Sequence, residues 1–208
     1  MKLYYAETLN PRKACAVAKY LSAPVEFVHI DLRKGENRTP EFLALNPNGK
    51  VPVLETGGGS LWESNAIMCY LARVAGSDLW PSDDDRQIEV MRWLSWDSQH
   101  FTRHAGSLYF EHIIKPAFGM GSADRAAVEE ATGFFKRFAA VLDDHLSGRA
   151  YLVGDALTVA DFAVGITLPY AEDARIPLAE FPEIERWHGR LSDLPAWLEP
   201  FPVARAAA

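Results

Sequence analysis

The period of apolar and polar positions changes once along this chain of 208 residues, near residue 80. Before that point short β-rich runs alternate with helical stretches. Lys2 to Tyr5 is aromatic and apolar and predicts a buried strand. Asn10-Pro11 reads as a helix start, with Asn10 as N-cap and Pro11 in the first helical position. Ala14, Val17, Ala18 and Leu21 follow at helical spacing, and Pro24 ends the run. Val25 to Asp31 predicts a second strand. Thr39-Pro40 repeats the cap-then-proline signal and opens a short helix through Leu45. Val51 to Glu55 predicts a third strand, Gly57-Gly58-Gly59 a turn, and Ser60 to Trp62 a fourth strand antiparallel to the third. Ser64 to Ala75 is helical, with Ile67, Tyr70, Leu71 and Val74 on one face. The order βαβ-α-ββ-α predicts a small α/β domain with a mixed four-stranded sheet.

Beyond residue 86 the period is helical throughout. Arg86 to Leu108 and Asp124 to Leu146 are long helical patterns, separated by Gly119-Met120-Gly121-Ser122. Thr158-Val159-Ala160-Asp161 resembles a capping box ahead of an apolar helix. Pro182 opens a further helix through Leu191, and Pro195-Ala196-Trp197 a last short one. The expected division is therefore an α/β domain over 1–76, a linker over 77–86 and an all-α domain over 87–208. The linker carries Pro81 and the run Asp83-Asp84-Asp85, which suits the positive end of a following helix.

Composition narrows the class. Hydrophobic residues make up 49% and charged residues 24%, which excludes wholesale disorder and a disulfide-built miniature. The formal net charge is −7 and the pI about 5.4, so no global pull toward nucleic acid or an anionic membrane is expected. Cys15 and Cys69 fit neither a CxxC redox motif nor a zinc pattern, and His29, His112, His145 and His188 make no metal-ligand spacing. No apolar signal segment or membrane-length run is visible, so a cytoplasmic protein is expected. Six Trp, seven Tyr and eleven Phe are enough for both a core and an apolar cleft.

Two segments carry candidate chemistry. In Asn46-Pro47-Asn48-Gly49-Lys50-Val51-Pro52 a proline enters a strand, where it cannot donate to the ladder. Sequence physics favours a trans proline at an edge; the alternative is a cis bond that frees the Val51 backbone for an extended ligand. Glu63-Ser64 places a carboxylate, a hydroxyl and helix N–H groups together. That set suits the two charges of an α-amino acid head group, while the plainer reading is a Ser N-cap.

Taken together, Leu3-Tyr4-Tyr5, then Val51-Pro52, then Glu63-Ser64 eleven residues on, resemble the glutathione transferase family. Gly154-Asp155-Ala156-Leu157-Thr158-Val159-Ala160-Asp161 resembles the family's capping motif, and Trp80-Pro81 and Phe181-Pro182 fall where members carry similar words. The resemblance spans nearly the whole chain. It implies a thioredoxin-like N-terminal domain, an all-α C-terminal domain and glutathione as co-substrate, with no metal. It further implies a cis bond before Pro52, Val51 pairing with the cysteinyl unit, Glu63 and Ser64 holding the γ-glutamyl end, and Lys50 near the glycyl carboxylate. Asn37 stands where many members have a His near that carboxylate, with Arg38 beside it; a polar turn is the other reading.

The catalytic position departs from the family's usual Tyr, Ser or Cys. By ungapped register Asn10 stands where bacterial cytosolic members of the beta type carry Cys, Leu9 where Ser-type members carry Ser, and Tyr4 and Tyr5 lie near the Tyr-type place. The reactive form of glutathione is the thiolate. Lowering a thiol pKa from 8.5 to 6.5 requires about 2.7 kcal/mol of preference for the anion. A hydrogen bond to a charged group supplies about 1.5–3 kcal/mol, and a helix N-terminus adds about 0.3–1. An Asn can donate to sulfur through its NH₂, which favours Asn10, with Lys13 or Arg12 adding positive potential; a cap role alone is the other reading. Trp96, His100, Arg103 and His104, with Trp93, Phe101 and Tyr109, could line a site between the domains for a hydrophobic electrophile, or simply pack. The resemblance implies a cytoplasmic homodimer with transferase activity. The alternatives are a glutathione-binding protein without catalysis, or a glutathione-dependent isomerase, dehalogenase or peroxidase.

Overall fold

The computed structural model describes residues 1–202. The chain forms two compact units: Met1–Trp80 together with the C-terminal segment from Asp193, and Pro81–Ser192.

The first unit is built on β1 (Lys2–Tyr5), α1 (Leu9–Tyr20), β2 (Glu26–His29), α2 (Pro40–Leu45), β3 (Val53–Thr56), β4 (Gly59–Trp62) and α3 (Ser64–Val74). The sheet order is β2-β1-β3-β4, with β1 parallel to β2 and antiparallel to β3, and β4 antiparallel to β3. This is the mixed four-stranded sheet that the periodicity predicts. Successive side chains point to opposite faces. Leu3, paired with Leu54, is fully buried on the face covered by α1 and α3. Tyr4, paired with Val53, faces the other way, into a cluster with Ile30, Phe42 of α2, Leu45 and Val51.

Two local expectations are corrected. The Val51–Pro52 bond is cis, as the family resemblance implies and against the local preference for trans. Pro52 has no N–H for the ladder, so β3 starts at Val53 rather than Val51. Asn10 is not the N-cap of α1: Thr8 caps it in extended conformation, and its carbonyl accepts from the Arg12 N–H at 3.1 Å. Asn10 is therefore the second helical residue. Pro11 sits third without cost, because the first four helical N–H groups have no acceptor in the helix.

The second unit contains α4 (Asp84–Trp96), α5 (Thr102–Tyr109), α6 (Lys115–Ala117), α7 (Arg125–Leu146), α8 (Val159–Val164) and α9 (Pro182–Ser192); α10 (Pro195–Leu198) lies with the first unit. The predicted helix over 86–108 is instead interrupted by π-turns at Asp97–Phe101 and Phe110–Ile114 and runs on to Ala117. Asp83 caps α4 through the Arg86 N–H, and Asp124 caps α7 through Ala126 and Ala127. The acidic run of the linker thus sits at the helix end it favours.

Asp161 ties this unit together. It is fully buried and its carboxylate accepts from the Leu152 N–H (3.0 Å), the Thr158 N–H (2.8 Å), the Thr158 hydroxyl (3.1 Å) and the Trp187 indole (3.0 Å). The connection before α8, α8 itself and α9 therefore share one carboxylate. Burial pushes its carboxyl up, against four donors that favour the anion. Asp161→Ala orphans buried donors and is expected to lower unfolding free energy by about 3 kcal/mol or more. Asp161→Asn, which keeps one acceptor oxygen, should lose less. Urea melts decide this, and a loss below 1 kcal/mol for Asp161→Ala would contradict it.

Candidate active site

Sheet register gathers the predicted residues at one end of the α/β unit. Tyr4 pairs with Val53, and Val53 pairs with Trp62, so the end of β1, the start of β3 and the end of β4 lie side by side. From that row the chain leaves toward α1, arrives from the 46–52 loop, and enters α3. Asn10, Pro52 and Glu63-Ser64 are consequently neighbours in topology although far apart in sequence. Two of them touch: the Ser64 hydroxyl donates to Asn10 Oδ1 at 3.4 Å. The amide oxygen of Asn10 is thus spent on Ser64 rather than on capping, which leaves its NH₂ as the outward donor. Asn10 is exposed while Ser64 is buried, so the pair spans from core to surface.

The 46–52 loop is rigidified by amide side chains. Asn46 accepts from the Asn48 N–H and Nδ2, both at 3.0 Å, and donates to the Lys50 carbonyl at 2.6 Å. Asn37 donates to the Gly49 carbonyl at 2.7 Å. Gly49 has φ +61°, and an added Cβ would meet Arg38 Nη1 at 2.8 Å and the Asn37 carbonyl at 3.0 Å, so only glycine fits. The loop delivers Val51 to the cis bond. Among the described residues, the Val51 N–H and C=O make no hydrogen bond within the chain. Asn46 was given no role by sequence reasoning; an Asn three residues before a glycine was the available signal.

Glu63 precedes α3 with φ +72° and ψ +117°, a conformation rare for a residue with a Cβ. It is exposed, it makes no capping bond, and its backbone aims the α3 N-terminus and its own carboxylate outward. Strain of this kind costs about 1–3 kcal/mol and collects at functional sites.

Tyr4 and the two cysteines fall into structural roles. The Tyr4 hydroxyl donates to Glu55 at 2.6 Å, and this bond, with burial, pushes its pKa up to about 12. Tyr5 is buried, which also pushes its pKa up, and it stacks on Phe201. The Tyr4 proton is thus committed to Glu55 rather than offered to a thiolate. Burial pushes the Cys15 and Cys69 thiols up to about 12, the behaviour of small core residues. Lys13 is buried within α1, and Arg12 donates to the Trp197 carbonyl. Lys50 is exposed at the loop tip.

The four predicted acceptor residues all belong to the helical unit. Trp96 stacks on Phe101 at 5.8 Å, His100 on Phe138 at 4.6 Å, and His104 on Phe134 at 4.7 Å. Arg103 and His104 line a cavity of about 400 Å³ with Ser107, Phe110 and Glu130. Burial, then the charges of Arg103 and His100, push the His104 imidazole down, with Glu130 opposing. Phe134 and Phe138 were not singled out from sequence. Their four-residue spacing, matching His100 and His104 on the facing helix, was the signal.

A thioredoxin-like unit with a cis-proline loop beside two helix N-termini, followed by a helical unit, defines the fold of the glutathione transferases. Family models bear this out: the glutathione S-transferase N-terminal domain matches residues 1–73 and the C-terminal domain residues 104–195. The chain belongs to the glutathione S-transferase family. It is 34% identical over 203 residues to glutathione S-transferase 3 of Zea mays, covering 93% of this chain and 90% of that protein. It is also 33% identical to elongation factor 1-gamma 2 of Oryza sativa subsp. japonica, over 89% of this chain but 44% of that protein. Among solved structures, glutathione S-transferase-I bound with lactoylglutathione superposes with a TM-score of 0.87 at 27% identity, covering 96% of this chain and 97% of that one.

Glu63→Gly relieves the left-handed backbone and is expected to raise stability by about 1 kcal/mol. It should also weaken the thermal shift given by glutathione. Glu63→Ala should weaken that shift equally without the gain in melting temperature, and equal melting temperatures for the two variants would refute the strain. For Tyr4, the folded pKa lies above the ordinary value of 10.0, so its contribution to stability is complete below pH 10 and is lost as pH rises toward about 12. In a spectrophotometric titration Tyr4 should ionise near 12, and Tyr4→Phe should reduce the late step by one tyrosine.

Proposed function

We propose that this family member is a cytoplasmic glutathione transferase that activates the glutathione thiol through Asn10 and the N-terminus of α1. The observation that carries the reading is the Asn10–Ser64 contact, where two helix starts meet at the sheet end that also receives the cis-proline loop. Glutathione runs along that end as an added strand, the Val51 N–H and C=O pairing with its cysteinyl unit. The α3 N–H groups take the γ-glutamyl carboxylate, the Ser64 hydroxyl turning from Asn10 Oδ1 to join them when the ligand arrives, and Glu63 takes the ammonium. Lys50 lies toward the glycyl carboxylate. Asn37 acts by holding the Gly49 carbonyl, which sets the path of the loop.

The sulfur then receives a hydrogen bond from the Asn10 NH₂ and the positive end of α1, with Lys13 one turn along adding potential. Together these supply about 2–4 kcal/mol in favour of the thiolate, sufficient for a two-unit fall in thiol pKa. The thiolate attacks a hydrophobic electrophile, forming the carbon–sulfur bond as the leaving group departs or the proton returns. Trp96, His100, Arg103 and His104 are the acceptor-side candidates. Asn10 takes the place of the Cys in bacterial-type members, and the protein works as a homodimer. Among the described residues no His, Cys, Asp and Glu cluster could hold a metal, and no helix is long and apolar enough to cross a membrane.

The rival reading is a member that binds glutathione without turnover; the likeness to elongation factor 1-gamma 2, which is not named as a transferase, is why it is kept. Millimolar glutathione should raise the melting temperature by linkage. Thiolate absorbance against pH should give a bound thiol pKa at least one unit below the free value. Asn10→Ala should reverse that shift and cut kcat/KM at least tenfold, with glutathione affinity within about threefold. An undisturbed melting temperature removes the glutathione site. A bound thiol that titrates like the free one favours the binding-only rival, and full activity in Asn10→Ala moves the activating role elsewhere.

A further inference from the structure

Helix α1 carries Asn10 in its first turn, and the C-terminal segment grips that helix at both ends. Near the start, Arg12 donates to the carbonyl of Trp197, the third residue of α10, and its guanidinium lies 5.5 Å from the Trp197 ring centre. Near the far end, Lys19 Nζ donates to the carbonyls of Glu199 and Phe201, each at 2.6 Å. The Phe201 ring then stacks on Tyr5 at 5.9 Å, 17° from parallel. Tyr5 is the last residue of β1, immediately before the turn into α1. Trp197 is 1% exposed and Arg12 8%, so this is internal packing rather than a loose drape.

The chemistry of the grip is specific. Both cations meet main-chain oxygens, and the carbonyls around the short α10 are of the kind a helix end leaves unsatisfied. With the strand entering α1 also stacked against Phe201, the helix can neither slide nor rotate without breaking a charged bond or an aromatic contact. Hydrogen-bond activation of a sulfur needs its donor held to within about 0.5 Å.

We infer that residues 195–201 form a positioning strap for α1, which through Arg12, Lys19 and the Tyr5–Phe201 stack sets where the helix N-terminus and the Asn10 amide meet the glutathione sulfur. The inference rests on Asn10 as activator. Lys19 isolates it well. Nine residues of helical rise put Lys19 about 13 Å from Asn10, beyond a Debye length of about 8 Å. Its charge therefore hardly reaches the sulfur directly, and any effect on the thiol must travel through the placement of α1.

The test uses the full chain with Lys19→Met, its conservative partner Lys19→Arg, and Trp197→Ala at the other anchor. Lys19→Met should raise the pKa of bound glutathione by at least half a unit. It should cut kcat/KM at least threefold below that pKa but not above it, with glutathione affinity within about twofold. Lys19→Arg should restore both values, and Trp197→Ala should show the same pattern more strongly. If the melting temperature falls while the bound thiol pKa and the pH profile stay in place, the strap is merely structural and the inference is overturned. A lowered thiol pKa in the parent that Lys19→Met leaves unchanged overturns the strap alone. A parent whose bound thiol titrates like free glutathione overturns the activator reading and the strap with it.

Discussion

The site depends on one constraint: α1 and α3 must start from the same row of the sheet. Tyr4, Val53 and Trp62 pair across three strands, and each stands at the strand end from which a functional segment leaves or arrives. With the strands in this register, the Ser64 hydroxyl reaches the Asn10 amide. A slip of one residue would turn Leu3 and Leu54 out of the core, so the burial that stabilises the sheet also fixes the site. Two helix N-termini at one place concentrate positive potential and N–H donors, which is what an anionic ligand with a thiolate requires.

In this acidic chain the cations near the candidate site are mostly committed to the fold. Sequence reasoning offers Arg12, Lys13, Arg38 and Lys50 as partners for an anion. The structure commits Arg12 to the Trp197 carbonyl, buries Lys13 in α1 and sets Arg38 against Gly49. Lys50 remains at the loop surface. The local potential at the site therefore leans more on helix N-termini and less on side-chain charge than a count of Lys and Arg suggests.

In the helical unit the organising group is the Asp161 carboxylate, which gathers donors from three segments. Its position was visible in Thr158-Val159-Ala160-Asp161, but the indole of Trp187, 26 residues on, was not part of that pattern. The π-turns at Asp97–Phe101 and Phe110–Ile114 were equally hidden, since neither carries a proline or glycine that would signal a break. These turns bracket α5, the helix whose imidazole His104 stacks against Phe134 and Phe138 of α7.

By itself the sequence determined the elements, their order and the change of period near residue 80, because periodicity and capping are local. Thr39-Pro40 starts the helix it announces, with the cap bond it predicts, and Asp83 and Asp124 stand at helix starts that the pattern marks, where their side chains turn out to cap. The words Val51-Pro52 and Glu63-Ser64 also pointed to the candidate site. Tertiary structure alone decided the rest. The geometry of Val51-Pro52 depends on the sheet it enters, so local preference pointed to trans and the fold holds cis. The cap of α1 fell on Thr8 because the approach from β1 placed its carbonyl over Arg12, leaving the Asn10 oxygen for Ser64. The C-terminal hold on α1 joins residues 185 apart in the chain, and no local period can register a bond whose partner is set only when the whole fold closes.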